Sequence, residues 1–164
     1  MELVQKAKLN KEAYGELYLR YPKQIYNYCF YKTFNKAISE DIVSEVFLRA
    51  MDGIQNFQGG DNKFLAYLYT IAKNTLINSA IKENRQVNFD ENEHSYVEDQ
   101  SFDKTEIMQA INKLSDNEKE LIILKYVNEL TINEICKVTS KTEDSVKSYL
   151  KRAKDNLEII LNGK

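Results

Sequence analysis

Between Asp144 and Arg152 the chain sets short hydrogen-bonding side chains ahead of cations: Asp144, Ser145 and Ser148 come first, Lys151 and Arg152 follow. At about 100° per residue these five share one face of a helix, with Lys147 and Lys154 on its flank. Val146, Leu150, Ala153, Leu157 and Ile160 form the opposite, apolar stripe. Hydroxyls can read base edges while lysine and arginine hold phosphates, so this face suits a helix that enters a DNA major groove by its N-terminus. The same pattern also fits the solvated side of an ordinary three-helix bundle.

A second mixed surface lies on KFLAYLYTIAKNTLINSAIKENR, expected as one long helix from Lys63 to about Arg85. Its buried stripe is Phe64, Leu65, Leu68, Ile71, Ala72, Thr75 and Leu76, and its far face carries Ala66, Tyr67, Thr70, Lys73, Asn74, Ile77, Ile81 and Arg85. Aromatics on which bases stack, beside cations that follow the backbone, are what grips single-stranded nucleic acid. A solvated face with a few stray apolar groups is the competing reading. In SEDIVSEVFLRAMDG, opened by Ser39, the stripe Ile42, Val43, Val46, Phe47 and Ala50 faces inward. Opposite it stand Asp41, Ser44, Leu48 and Asp52, with Glu45 at the edge, so one leucine sits in an acidic solvent face. That is either a commonplace exposed leucine or a docking patch for a partner.

No arrangement supports catalysis. There is one histidine, and the chain has no phosphate-binding glycine motif, no CxxC and no glycine-flanked nucleophilic serine. His94 has neither a cysteine nor a second histidine beside it, so no metal is expected, and no cofactor either.

The elements that must position these faces are helices. Ser115 with Glu118, and Thr131 with Glu134, show the capping-box spacing that opens a helix, and Thr142 opens a third. Only Thr139, Ser140 and Lys141 separate the last two, which makes a helix-turn-helix. Upstream, Leu17, Tyr18, Tyr21, Ile25, Tyr28 and Cys29 recur at helical spacing between about Leu9 and Phe34, and Pro22 breaks that run into two helices. The aromatic stripe reads as core. The loop IQNFQGGDN leads into the long helix. Residues 86–104 are acidic and aperiodic and read as a linker, after which TEIMQAINKL joins the C-terminal bundle.

Composition agrees with an all-α protein: 43% hydrophobic and 29% charged residues, one proline and five glycines in 164 residues. Cys29 and Cys136 each sit among apolar neighbours, as packed thiols in a reducing compartment do. Charges interrupt every apolar run, so neither a signal peptide nor a membrane insertion is expected, and the expected location is the cytoplasm. The net charge of -2 is unevenly placed. Residues 1–85 carry 12 Lys+Arg against 9 Asp+Glu, residues 86–106 carry 1 against 7, and residues 107–164 carry 10 against 9. The acidity lives in the middle, and the flanking parts can meet phosphates without being basic enough for tight autonomous DNA binding.

Three blocks carry a family resemblance. EDIVSEVFLRA, YLYTIAKN and LTINEICKVTSKTEDSVKSYLKRAKDNL resemble, in order, the clamp-docking helix, the -10 helix and the -35 helix-turn-helix of sigma-70 family RNA polymerase sigma factors of the extracytoplasmic-function (ECF) group. The resemblance implies two small helical domains joined by a flexible acidic linker: region 2 over 1–85, the linker over 86–104 and region 4 over 105–164. It implies that Asp41, Ser44, Glu45, Leu48 and Arg49 dock on core RNA polymerase. Asn56, Asp61, Asn62, Lys63, Tyr67, Lys73 and Asn74 would capture unpaired -10 bases, and Ser145, Lys147, Ser148, Lys151 and Arg152 would contact the -35 element. The linker would cross the polymerase interior, its acidity mimicking nucleic acid. Implied partners are core RNA polymerase and promoter DNA, with an anti-sigma factor as a further candidate. The chain departs from the family pattern in having Tyr67 for a usual tryptophan, Ser44 for a frequent glutamine, Asn78 for an aspartate, and Ser140 and Lys141 for a glycine and an apolar residue. Two rivals stand beside this reading: a helix-turn-helix regulator that binds duplex DNA without polymerase, and a sigma-like protein that has lost promoter recognition.

Overall fold

The computed structural model describes residues 2–83 and 102–163, and every long element in them is a helix. The N-terminal half holds α1 (Leu3–Leu9), α2 (Lys11–Arg20), α3 (Pro22–Thr33), α4 (Lys36–Gly53), a 3-10 turn at Ile54–Asn56 and α5 (Asp61–Glu83). Asn10 caps α2 by accepting from the Ala13 amide at 2.8 Å. Pro22 takes the first position of α3, where its missing N–H would have had no helical partner. The expected break is therefore the junction of α2 and α3, while α1 adds a third helix ahead of them. At seven residues α1 is too short to show a period or to stand alone in water.

The start of α4 differs from expectation. Asn35, not Ser39, is the cap, accepting from the Ile38 amide at 2.9 Å. Ser39 lies buried within the helix, donating to the Asn35 carbonyl at 2.7 Å and lying 3.2 Å from the Thr33 hydroxyl. Gly53 is the last residue of α4 rather than the first beyond it. The inward stripe Ile42, Val43, Val46, Phe47 and Ala50 is buried as expected. The Tyr14 hydroxyl ties α2 to α4 by donating to the Phe47 carbonyl.

In the C-terminal half α6 (Phe102–Asn112) starts three residues before Thr105 and so takes in the end of the expected linker. Arg85, His94 and residues 86–101, with the role expected for the acidic linker, lie outside the described residues, as does the Ile81 side chain. α7 (Asp116–Ile122) runs into a π-helical stretch at Ile123–Val127, followed by α8 (Ile132–Thr139) and α9 (Glu143–Asn162). Thr131 and Glu134 close both arms of their capping box. Ser115 caps α7 from the Glu118 amide, but the Glu118 carboxylate turns away to accept from Asn156 of α9 at 3.0 Å. Val146, Leu150 and Ala153 of α9 are buried, and Leu157 and Ile160 half-buried, as their spacing requires.

The two halves pack on each other through one continuous apolar core to which both contribute. At their junction Tyr28 and Tyr69, both fully buried, meet edge to face with ring centroids 5.4 Å apart. Glu120 of α7, 4% exposed, accepts from the Tyr28 hydroxyl at 2.7 Å and lies 3.4 Å from the Lys73 ammonium and 3.8 Å from that of Lys32. Asn128 donates to the Gln24 carbonyl at 2.8 Å. Lys119 donates to Asn112 at 2.9 Å and to the Lys32 carbonyl at 3.4 Å, and burial, with Lys32 nearby, pulls its ammonium down to about 8.

The turn of the helix-turn-helix rests on Ser140, which ends α8 with φ 58° and ψ 31°. A β-carbon in this left-handed region costs roughly 1–2 kcal/mol, which glycine escapes. Ser140→Gly should therefore raise unfolding stability by about 1 kcal/mol, offset in part by glycine's looser unfolded chain, and Ser140→Val should lower it. Urea titrations of the two variants that failed to separate in this direction would show that the turn carries no such strain.

Candidate nucleic-acid interface

The loop between α4 and α5 and the face of α5 that follows it form one continuous surface. Asn56, Gln58, Asn62 and Lys63 are exposed along it. Behind them the Tyr67 ring lies 4.7 Å from that of Phe57 and 5.7 Å from that of Phe64. A β-carbon at Gly53 would strike the Tyr67 hydroxyl, so the close of α4 is shaped to this ring. Tyr67 is half-buried, and desolvation raises its phenol above the ordinary value, which keeps it a neutral stacking surface. Asn74 is exposed on the same side of α5, with Thr70 and Ile77.

Two of the expected residues stand elsewhere. Asp61 faces α1: its carboxylate accepts from the Leu3 amide at 3.1 Å and the Val4 amide at 2.8 Å, which occupies it as a cap. Lys73 lies about 100° around the helix from Asn74 and is turned to Glu120 of the other half. The structure thus gathers Asn56, Asn62, Lys63, Tyr67 and Asn74 and leaves Asp61 and Lys73 to hold the fold.

The face of α9 matches its sequence pattern. Lys147, Ser148, Lys151 and Arg152 are exposed and Ser145 half-buried, its amide held by the Thr142 hydroxyl at 3.2 Å. Lys147 pairs with Glu143 one turn earlier at 2.8 Å, which lowers the carboxyl and raises the ammonium. Lys141 and Arg152 both sit over the Tyr149 ring, at 5.2 and 5.6 Å. On α4, Asp41, Ser44 and Leu48 are exposed, Leu48 at 59%. Glu45 accepts twice from Arg49, at 3.0 Å from Nε and 2.7 Å from Nη2, so the two charges neutralise one another beside an apolar side chain.

The family model for sigma-70 region 2 matches residues 17–86, and that for sigma-70 region 4 matches residues 104–157. The ECF RNA polymerase sigma factor BldN of Streptomyces coelicolor is 31% identical over 173 residues, covering 98% of this chain and 65% of its own length. RNA polymerase sigma factor YlaC of Bacillus subtilis is 27% identical, covering 91% of this chain and 92% of its own. The chain belongs to the sigma-70 family, in its ECF group. In fold it is similar to the sigma factor RpoE in the co-crystal structure with the anti-sigma factor NepR from Bartonella quintana, with TM-score 0.74 and 21% identity over 90% of this chain and 95% of that one. An ECF sigma chain thus shows two small helical bundles, here in mutual contact.

Sequence reasoning missed three groups around these surfaces, Tyr69, Met51 and Tyr149, and misplaced a fourth, Tyr18. Tyr69 stands at the edge of the α5 stripe, four residues after Leu65 and three before Ala72, and is fully buried against Tyr28. Met51, 40% exposed, lies one turn beyond Leu48 on α4. Tyr18, expected from its spacing as part of the core, is instead 42% exposed and packs edge-on against Phe47 at 4.8 Å. Tyr149 was legible only as the aromatic between Lys141 and Arg152.

Glu120 is the acceptor at the junction of the two bundles, so Glu120→Ala strips a buried hydroxyl and two part-buried lysines of their partner. Stability should fall by about 1–3 kcal/mol, the range for orphaned buried polar groups. The radius of gyration in small-angle scattering should also grow. An unchanged radius would show that apolar contact alone keeps the halves together.

Proposed function

We propose that this chain is a sigma factor: it binds core RNA polymerase, brings it to promoters and assists strand opening, while catalysing no step itself. The observation that carries the reading is that both regions occur in order in one chain, each with an exposed surface suited to its task. A helix-turn-helix regulator acting without polymerase has no use for the Tyr67 and Asn74 surface of α5 or for an apolar patch around Leu48.

The labour divides between residues 1–85 and 105–164. Asp41, Ser44, Leu48 and the neutralised Glu45–Arg49 pair form the docking face on polymerase, widened by Met51. Asn56, Asn62, Lys63 and Asn74 line the path of the unpaired -10 strand, with Tyr67 as the platform on which a base stacks. Lys73 joins them once it parts from Glu120. Ser145 and Ser148 read -35 base edges, and Lys147, Lys151 and Arg152 hold phosphates. Among the described residues no helix is long and apolar enough to cross a membrane. The work is placed where polymerase and promoters are, in the cytoplasm. An anti-sigma factor is a further partner, in keeping with the relative crystallised with NepR.

Leu48 is exposed and touches no core, so Leu48→Asp should leave thermal unfolding unchanged. It should weaken binding to core polymerase about tenfold, a loss typical of an interface anchor, as read by titration of labelled chain. Equal affinity would remove α4 from the docking surface. On α9, Lys151→Ala should weaken all promoters about alike and lower the salt slope by about 1, because a phosphate contact carries no sequence information. Ser148→Ala should alter preference at one base position. Selection from a promoter library randomised at the -35 element separates the two, and a swapped pattern would reverse the orientation of α9.

A further inference from the structure

The loop that precedes α5 is held from behind by α1. Lys8 donates to the Phe57 carbonyl at 2.7 Å, and Gln5 donates to the Gly59 carbonyl at 3.4 Å. The Asp61 carboxylate receives the Leu3 and Val4 amides, and the Asp61 amide donates to the Glu2 carboxylate at 3.1 Å. Gln55 returns a bond to the Lys8 carbonyl at 2.7 Å. These contacts cover both strands of the loop. The approach is close, since a β-carbon at Gly60 would collide with the Glu2 carboxylate.

The contacts are one-sided. Apart from the Gln55 side chain, each goes to loop backbone or to Asp61, whereas Asn56, Gln58, Asn62 and Lys63 remain exposed on the loop and at the start of α5. Two glycines at 59 and 60 leave the loop few side chains with which to fix its own path. Gly59, at φ 158°, is additionally wedged between Phe57 and Lys63. α1 in turn is too short to persist alone, and beside the burial of Leu3, Val4 and Ala7 it has its first amides taken up by Asp61. Helix and loop therefore order each other.

We propose that α1 is a positioning strap for -10 recognition, with Gln5 and Lys8 as positioning residues that touch no DNA. By holding the Phe57 and Gly59 carbonyls they set where Asn56, Gln58 and Asn62 meet the unpaired strand. This rests on the sigma-factor reading. Removing the two donors frees a solvent-accessible loop without opening the core, so the fold survives and only the placement of the reading groups is lost.

The test uses the full chain with core RNA polymerase on two promoter libraries, one randomised at the -10 element and one at the -35 element. Wild type, the double variant Gln5→Ala with Lys8→Met, and Lys8→Arg are compared. The double variant should select -10 sequences with roughly three- to tenfold less discrimination, a fraction of what well-placed base contacts supply. Its -35 selection should match wild type, and Lys8→Arg, which keeps a donor, should retain the wild-type -10 preference. Unchanged -10 selection by the double variant overturns the proposal. So does an equal loss in both libraries, which would reduce α1 to a general structural element. If the wild-type chain selects from neither library, the sigma-factor reading falls first, and that outcome is distinct from both.

Discussion

A buried carboxylate holds the two halves of this molecule to one another, and most of what α3 and α5 do at the junction follows from it. Glu120 is 4% exposed, and a charge so placed costs far more than the fold can bear unless it is paired. Its partners, Tyr28, Lys32 and Lys73, all come from the other half. The Tyr28 hydroxyl is pushed well above its ordinary value by burial and by this carboxylate, so it stays a donor and is never a competing anion. Lys32 and Lys73 remain partly in water, which lowers what each pair is worth and makes the contact one that can be undone.

That reversibility matters because the closed arrangement and the proposed task are in tension. Promoter elements about 25 base pairs apart are separated by roughly 85 Å along the helix axis at about 3.4 Å per pair. Yet Lys73 of α5 is in direct contact with Glu120 of α7, and the core runs unbroken between the halves. The closed chain can offer either reading surface to DNA but cannot span both elements. Placing both on one promoter requires the halves to part, at the expense of Tyr28 and Tyr69 as well as the Glu120 cluster. The surface proposed to dock on polymerase, around Leu48 on α4, is exposed in the closed arrangement, so such docking need not wait for opening.

How much of this was legible depended on whether the deciding partner lay nearby in sequence. The stripes of α4 and α9 and the caps at Thr131 and Thr142 involve residues within one or two turns, and the structure has them where spacing put them. Ser39 and Asn35 are both good cap residues, and sequence alone does not rank them. The choice fell to Asn35 because the Ser39 hydroxyl is satisfied inside, between Asn35 and Thr33. Glu118 had the spacing of a capping box, but Asn156, 38 residues away, offers its carboxylate two contacts. Asp61 read as a loop acid near DNA and proved to be the cap of a helix 57 and 58 residues upstream. Tyr69 borders the α5 stripe by its spacing and was missed although it is fully buried. For Glu118 and Asp61 the cause is the same, a long-range partner that overrode a local signal, whereas the cap of α4 turned on neighbours four and six residues away.

The electrostatics of α9 favour the proposal that such a chain reads DNA in company with polymerase. Residues 107–164 carry 10 Lys+Arg against 9 Asp+Glu, and three of the cations on or near the reading face make contacts within the chain. Lys147 is paired with Glu143, and Arg152 lies over Tyr149 beside Lys141. With cations outnumbering acids by only one in this half, and Lys147 shared with Glu143, affinity for duplex DNA on its own should be low and its salt dependence shallow. The surface of α5, with its single platform of Tyr67 and an amide at Asn74, is equally modest for one strand. Two weak readers become selective when both are carried on one large body, because the second contact is then made at high effective concentration. A chain whose halves bind DNA weakly when alone, and one another when idle, is suited to release promoters that match only one element.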